Sequence, residues 1–72
     1  MSEEWYNIAY RMLSHRSGGA PFKLDPDLES ELRALDDLCC QDLGELRSRQ
    51  AIAMAILGWS RRNHGRSGIE YL

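Results

Sequence analysis

Long apolar runs are missing from this 72-residue chain. The longest, Ala51 to Leu57, falls far short of the about 20 residues that a membrane-spanning helix needs. The N-terminal stretch Met1-Ser2-Glu3-Glu4-Trp5 has neither the basic start nor the apolar segment of a signal peptide, so a soluble, cytoplasmic protein is expected. Cysteine is scarce as well. Cys39 and Cys40 are adjacent, which places them poorly for bonding each other, and no third cysteine offers a disulfide framework. Nor do they have the two-to-four-residue gap that lets two thiolates reach one zinc, so neither metal nor cofactor is expected. Lysine is nearly absent: Lys23 is the only one among nine basic residues.

Acids are missing from a long segment. Between Leu46 and Gly68 there are five arginines (Arg47, Arg49, Arg61, Arg62, Arg66) and no carboxylate. The preceding segment, Asp25 to Glu45, is the reverse: eight carboxylates (Asp25, Asp27, Glu29, Glu31, Asp36, Asp37, Asp42, Glu45) against the single Arg33. The formal net charge of −2 conceals this sorting. Two helices of opposite sign either neutralise each other within the fold or show charged faces to partners.

The residues that are present spell out helices. Trp5, Ile8, Ala9, Met12 and Leu13 recur at helical spacing behind Ser2 as N-cap, with acids at the start and Arg11, His15 and Arg16 toward the end. Ser17-Gly18-Gly19 stops this first helix, and a linker containing Pro21 and Phe22 follows. Phe22, the one phenylalanine, is expected to pin that linker to the core. Asp25-Pro26-Asp27 is a strong helix start, with a capping carboxylate, proline at the first helical position and an acid in the first turn. Leu28, Leu32, Leu35 and Cys39, with Leu38 alongside, form the buried stripe of the second helix. Asp42 and Glu45 have capping-box spacing for the third helix, with Ser48 as an alternative cap. That helix is apolar nearly all round from Ala51 to Trp59, as befits the centre of a core. The expected fold is all-α, a single domain over 1–72: a compact bundle of three helices (about 3–15, 26–41 and 45–62) with a flexible linker and a loose C-terminal tail, 65–72.

Catalytic motifs are lacking. There is no phosphate loop, nucleophile elbow or metalloprotease signature, and a chain this short has difficulty enclosing a substrate. The carboxylates lie along one short helix instead of taking up contrasting environments around a pocket. A non-enzymatic protein is therefore expected. A helix-turn-helix with Gly44 in the turn would direct Leu46, Arg47, Ser48, Ala51, Ile52 and Ala55 at DNA and bury Gln50, which is the wrong pattern for base and phosphate contacts.

Interaction surfaces remain. Arg61 and Arg62 are expected to pair with Asp25, Asp27 or Glu29, and Arg47 and Arg49 with Asp36 and Asp37, in an antiparallel arrangement. Eight acids against five arginines leave a surplus on the second helix, so Glu29, Glu31, Asp36 and Asp37 become the candidate protein-binding face. Tyr6 and Tyr10, one turn apart, add an aromatic ridge. In its size, single domain, absent catalytic set and segregated charge, the chain resembles small phage-encoded regulators that bind host RNA polymerase. The resemblance implies transcription regulation, with the polymerase surface near nucleic-acid paths occupied so that promoter recognition is obstructed or termination altered. The alternatives are an RNA- or DNA-binding protein using Arg47, Arg49, Arg61, Arg62 and Arg66, and a homo-oligomeric adaptor joined through the alanine-rich third helix.

Overall fold

The computed structural model describes residues 3–39 and 44–72; the side chains of Glu3, Cys39 and Glu45 also lie outside the description. The expected cap at Ser2, the packing of the cysteine pair and the capping box at Asp42 and Glu45 therefore fall outside the described residues. Five elements follow in order: α1 (Glu3–Ser17), β1 (Phe22–Leu24), α2 (Pro26–Cys39), α3 (Gly44–Arg62) and β2 (Ile69–Tyr71). Three helices are present near the expected bounds, but the fold is not purely α. The linker and the tail, expected as irregular chain, pair as a two-stranded antiparallel sheet with Phe22 opposite Tyr71, Lys23 opposite Glu70 and Leu24 opposite Ile69.

The sheet follows from the alternation in Phe22-Lys23-Leu24. Phe22 and Leu24 point into the core, and Lys23 points out, where its ammonium meets Glu70 at 3.6 Å across the strands. Backbone bonds extend the pairing at both ends, from the Leu72 amide to the Pro21 carbonyl (3.3 Å) and from the Asp25 amide to the Gly68 carbonyl (3.0 Å). Arg16, near the end of α1, donates to the Ser67 carbonyl at 2.9 Å, so the approach to β2 is tied down as well.

Helix α2 starts as its sequence dictates. The Asp25 carboxylate accepts the Asp27 amide at 3.0 Å, and its carbonyl accepts the first intrahelical bond from Glu29 at 2.9 Å. Asp25 is nonetheless buried, because the second carboxylate oxygen is taken by the Arg66 guanidinium. One aspartate thus caps a helix and clasps the tail. Asp25→Ala is expected to cost about 1–2 kcal/mol, the usual worth of a cap with its partner left behind. Asp25→Asn, which keeps a capping oxygen, should lose clearly less. Urea denaturation of the two variants checks this, and equal losses would show that the cap contributes nothing.

The core is built from Trp5, Ile8, Ala9 and Leu13 of α1, Phe22 and Leu24 of β1, Leu28 and Leu32 of α2, and Ile52, Ile56 and Trp59 of α3. Phe22 and Trp59 are buried as expected. Helix α3 packs against both α1 and α2, and its buried face is one stripe: Ser48, Ile52, Ile56 and Trp59, at spacings of four, four and three. Ser48 lies within the helix and is buried, so it is not a cap. Among the described residues, no helix is long and apolar enough to cross a membrane.

Candidate protein-binding surface

The acidic face expected on α2 is partly occupied within the fold. Arg33 reaches back one turn to Glu29 at 3.3 Å, and Arg62 pairs with Glu31. Arg66 pairs with Asp25 and lies 3.9 Å from Asp27. Four of the acids thus have basic neighbours, which shrinks the outward surplus anticipated from the sequence. Asp36 and Asp37 sit near the far end of α2, the latter exposed. Exposed pairs of this kind contribute about 0–1 kcal/mol each. Their main effect here is on the charge pattern left for partners.

The arginines divide by helix face. Arg62 and Arg66 turn toward α2, and Arg66 also lies over the Trp59 ring, 5.2 Å from its centroid. Neither Arg61 nor Arg62 makes the pairing expected with Asp25, Asp27 or Glu29: Arg62 meets Glu31, and Arg66 takes Asp25. Arg61 is exposed and, among the described residues, has no ion-pair partner. The same holds for Arg47 and Arg49, which do not reach Asp36 and Asp37 as expected. The reason is rotational. Arg47 and Arg61 lie about half a turn from Ile52, so the packing that buries Ile52 directs them outward.

Arg49 lies at the border between α3 and α1. With Arg11 and His15 it surrounds a shallow depression of about 190 Å³ whose apolar wall is Ile8 and Met12. Arg11 and Arg49, one from each helix, stand at its rim. On the other side of α1, Tyr6 and Tyr10 are half-buried: their rings stack at 6.1 Å, and Tyr10 stacks on Phe22 at 4.5 Å with planes 11° apart. The expected exposed ridge is therefore a continuous aromatic stack along the edge of the core, with only its outer edge accessible.

The outer face of α3 is what sequence reasoning missed. Met54 and Leu57 were expected within an apolar stretch surrounded by neighbours, yet they are 74% and 50% exposed, and Leu46, which precedes that stretch, is 70% exposed beside them. Gln50, which a helix-turn-helix would have buried, is also on this outer face, whereas Ser48 and Ile52, which that motif would have turned to DNA, are buried. The one hint in the sequence was the series Arg47, Met54, Arg61 at seven-residue steps, since two arginines on one line mark that line as solvent-facing. Leu38, expected alongside the buried stripe of α2, is instead 81% exposed, because the packed face of that helix is the line of Leu28 and Leu32. Large apolar side chains gathered on one helix face and bordered by arginines make this face the candidate surface for association. Among the described residues, no three metal-ligating side chains converge.

No known protein family matches this sequence, and neither any curated protein nor any solved structure is significantly similar to it.

Proposed function

We propose that this chain is a small, non-enzymatic, cytoplasmic regulatory protein that binds a larger protein assembly and modulates or inhibits it. RNA polymerase is the assembly suggested by its likeness to small phage-encoded regulators. The observation that carries the reading is the exposed apolar row Leu46, Met54 and Leu57 on a well-packed helix. Leaving such a row in water forgoes about 25 cal/mol for each Å² of apolar surface that a partner would cover. The contact surface proposed from the sequence thereby moves from α2 to α3, because Glu29 and Glu31 are engaged by Arg33 and Arg62. Asp37 and the outer edges of Tyr6 and Tyr10 remain as secondary contacts. Regulation would follow from steric occupation of the assembly's surface, which needs no reactive group.

A second reading is favoured by the outward placement of Arg47, Gln50 and Arg61, residue types that contact phosphates and base edges. The apolar side chains between them weigh against it, since they would be set against a charged backbone.

Affinity capture from native host lysate, before and after nuclease treatment, separates the two. A stoichiometric multisubunit partner that survives nuclease and is lost with Met54→Asp is the expected result. Loss of the partner on nuclease treatment alone would overturn the protein-binding reading in favour of nucleic acid.

A further inference from the structure

We infer that the outer face of α3 is a docking site for an acidic amphipathic helix contributed by a partner protein. This rests on the protein-binding reading and supplies the chemistry of the partner. The site consists of Leu46, Met54 and Leu57, with Arg47 and Arg61 at its two ends and Gln50 in its middle.

The geometry first selects a helix. An exposed helix face has no open backbone donors or acceptors, so an extended segment could not add to it as it adds to a sheet edge. Leu46, Gln50, Ala53 and Leu57 follow at steps of four, three and four, the spacing of a seam that packs against another helix. Arg47, Met54 and Arg61 run beside that seam at steps of seven, which places the two arginines about 21 Å apart at about 1.5 Å per residue.

The charges then select the partner. Neither Arg47 nor Arg61 has an ion-pair partner among the described residues. Pairing with a second copy of this chain is disfavoured in both orientations. A parallel pair sets Arg47 against Arg47 and Arg61 against Arg61, and an antiparallel pair sets Arg47 against Arg61. Either way like charges meet at both ends of the interface, which costs rather than contributes. A nucleic acid would satisfy the arginines but would set Leu46, Met54 and Leu57 against phosphates. An acidic helix satisfies both. Its apolar stripe covers the leucines and Met54, and carboxylates about two heptads apart meet Arg47 and Arg61 bidentately. Gln50, once covered, requires a hydrogen-bonding side chain opposite it, which would fix the register.

Two synthetic peptides of about 21 residues, three heptads long, test this. Both carry leucine along the seam and a central asparagine; one has glutamate at the flanking positions and the other lysine. Titration into the isotope-labelled chain at about 0.15 M salt is followed by amide NMR shifts. The glutamate peptide should bind at least about tenfold more tightly than the lysine peptide, with shifts confined to the outer face of α3. The double variant R47E/R61E should reverse that preference, and Met54→Asp should abolish binding of both peptides while leaving the helical circular dichroism and melting unchanged. Equal affinity for the two peptides, shifts centred elsewhere, or no binding of either would overturn the inference. So would self-association of the chain that Met54→Asp disrupts. If Met54→Asp abolishes capture of a nuclease-resistant assembly while the peptides show no charge preference, the acidic helix is wrong and the protein-binding reading stands. If the glutamate peptide binds as described and the lysate yields no assembly, the docking site stands and the regulatory reading falls.

Discussion

Gly68→Ala is expected to remove about 2–5 kcal/mol of stability, the sum of a backbone cost and a packing cost. Gly68 sits at φ +87°, where an L side chain crowds its own backbone at about 1–2 kcal/mol. A methyl group placed there would also stand 2.5 Å from Leu28 Cδ2, within a wall formed by Leu13 and Trp59. Leu28 is fully buried, so it has little room to yield, and overpacking of this kind costs about 1–3 kcal/mol. A 72-residue domain holds roughly 4–11 kcal/mol in total, at about 0.05–0.15 kcal/mol per residue. The variant would therefore be partly unfolded at moderate temperature. Gly65→Ala is the control: its φ is +79°, with open space where the methyl would go, so it should carry the backbone cost alone. Urea denaturation of the two variants side by side measures the difference. Equal losses would show that the tail does not pack against Leu28 as described.

Trp59→Ala should cost about 3–5 kcal/mol, the range for removing a large buried aromatic. Trp59 is buried at the end of α3, where it meets the Gly68 wall and carries the Arg66 guanidinium on its ring. Its removal opens a cavity beneath the segment that leads into β2. It also withdraws the stacking surface that holds Arg66 near Asp25, an interaction worth about 0.5–1 kcal/mol at a half-exposed site. Amide exchange should show β1 and β2 losing protection before α1, because the sheet is attached through this corner. Trp59→Phe, which keeps most of the volume, should retain the sheet. A loss below about 1 kcal/mol for Trp59→Ala would be incompatible with a residue of this burial.

Both predictions concern a segment whose structure could not be anticipated locally. Ile69-Glu70-Tyr71 is too short for alternation to register as a strand, and Phe22-Lys23-Leu24, its partner, lies far away in the chain, before both α2 and α3. Only pairing between them gives either a conformation, so each alone resembles a linker. By contrast, Asp25-Pro26-Asp27 encodes the start of α2 in consecutive residues, and the observed cap is the expected one. The basic end of α1 at His15 and Arg16 and the burial of Leu28 and Leu32 were legible for the same reason.

The candidate surface was harder to read than the helices that carry it. From Ala51 to Leu57 every residue is apolar, so periodicity cannot say whether Ile52 and Ile56 or Met54 and Leu57 face inward. Packing against α1 and α2 decided for the isoleucines and turned Leu46, Met54 and Leu57 to solvent. Ion pairing was undecided in the same way. Opposite blocks of charge ensure that some arginines meet some acids, but their identities depend on the rotation of α3 and the return of the tail. Arg62 and Arg66 came to the acids, and Arg47 and Arg61 were left on the far side.

The sequence by itself determined three helices, the cap of the second and the burial of its Leu28 and Leu32, and the segregation of acids from arginines, because each is written in neighbouring residues. Tertiary structure alone decided that linker and tail form a sheet, that Arg62 and Arg66 meet acids at the start of α2, and that the outward surface is an apolar row flanked by arginines. Those outcomes depend on contacts between residues far apart in the chain, where local propensity is silent and the burial of one face dictates what the opposite face must show.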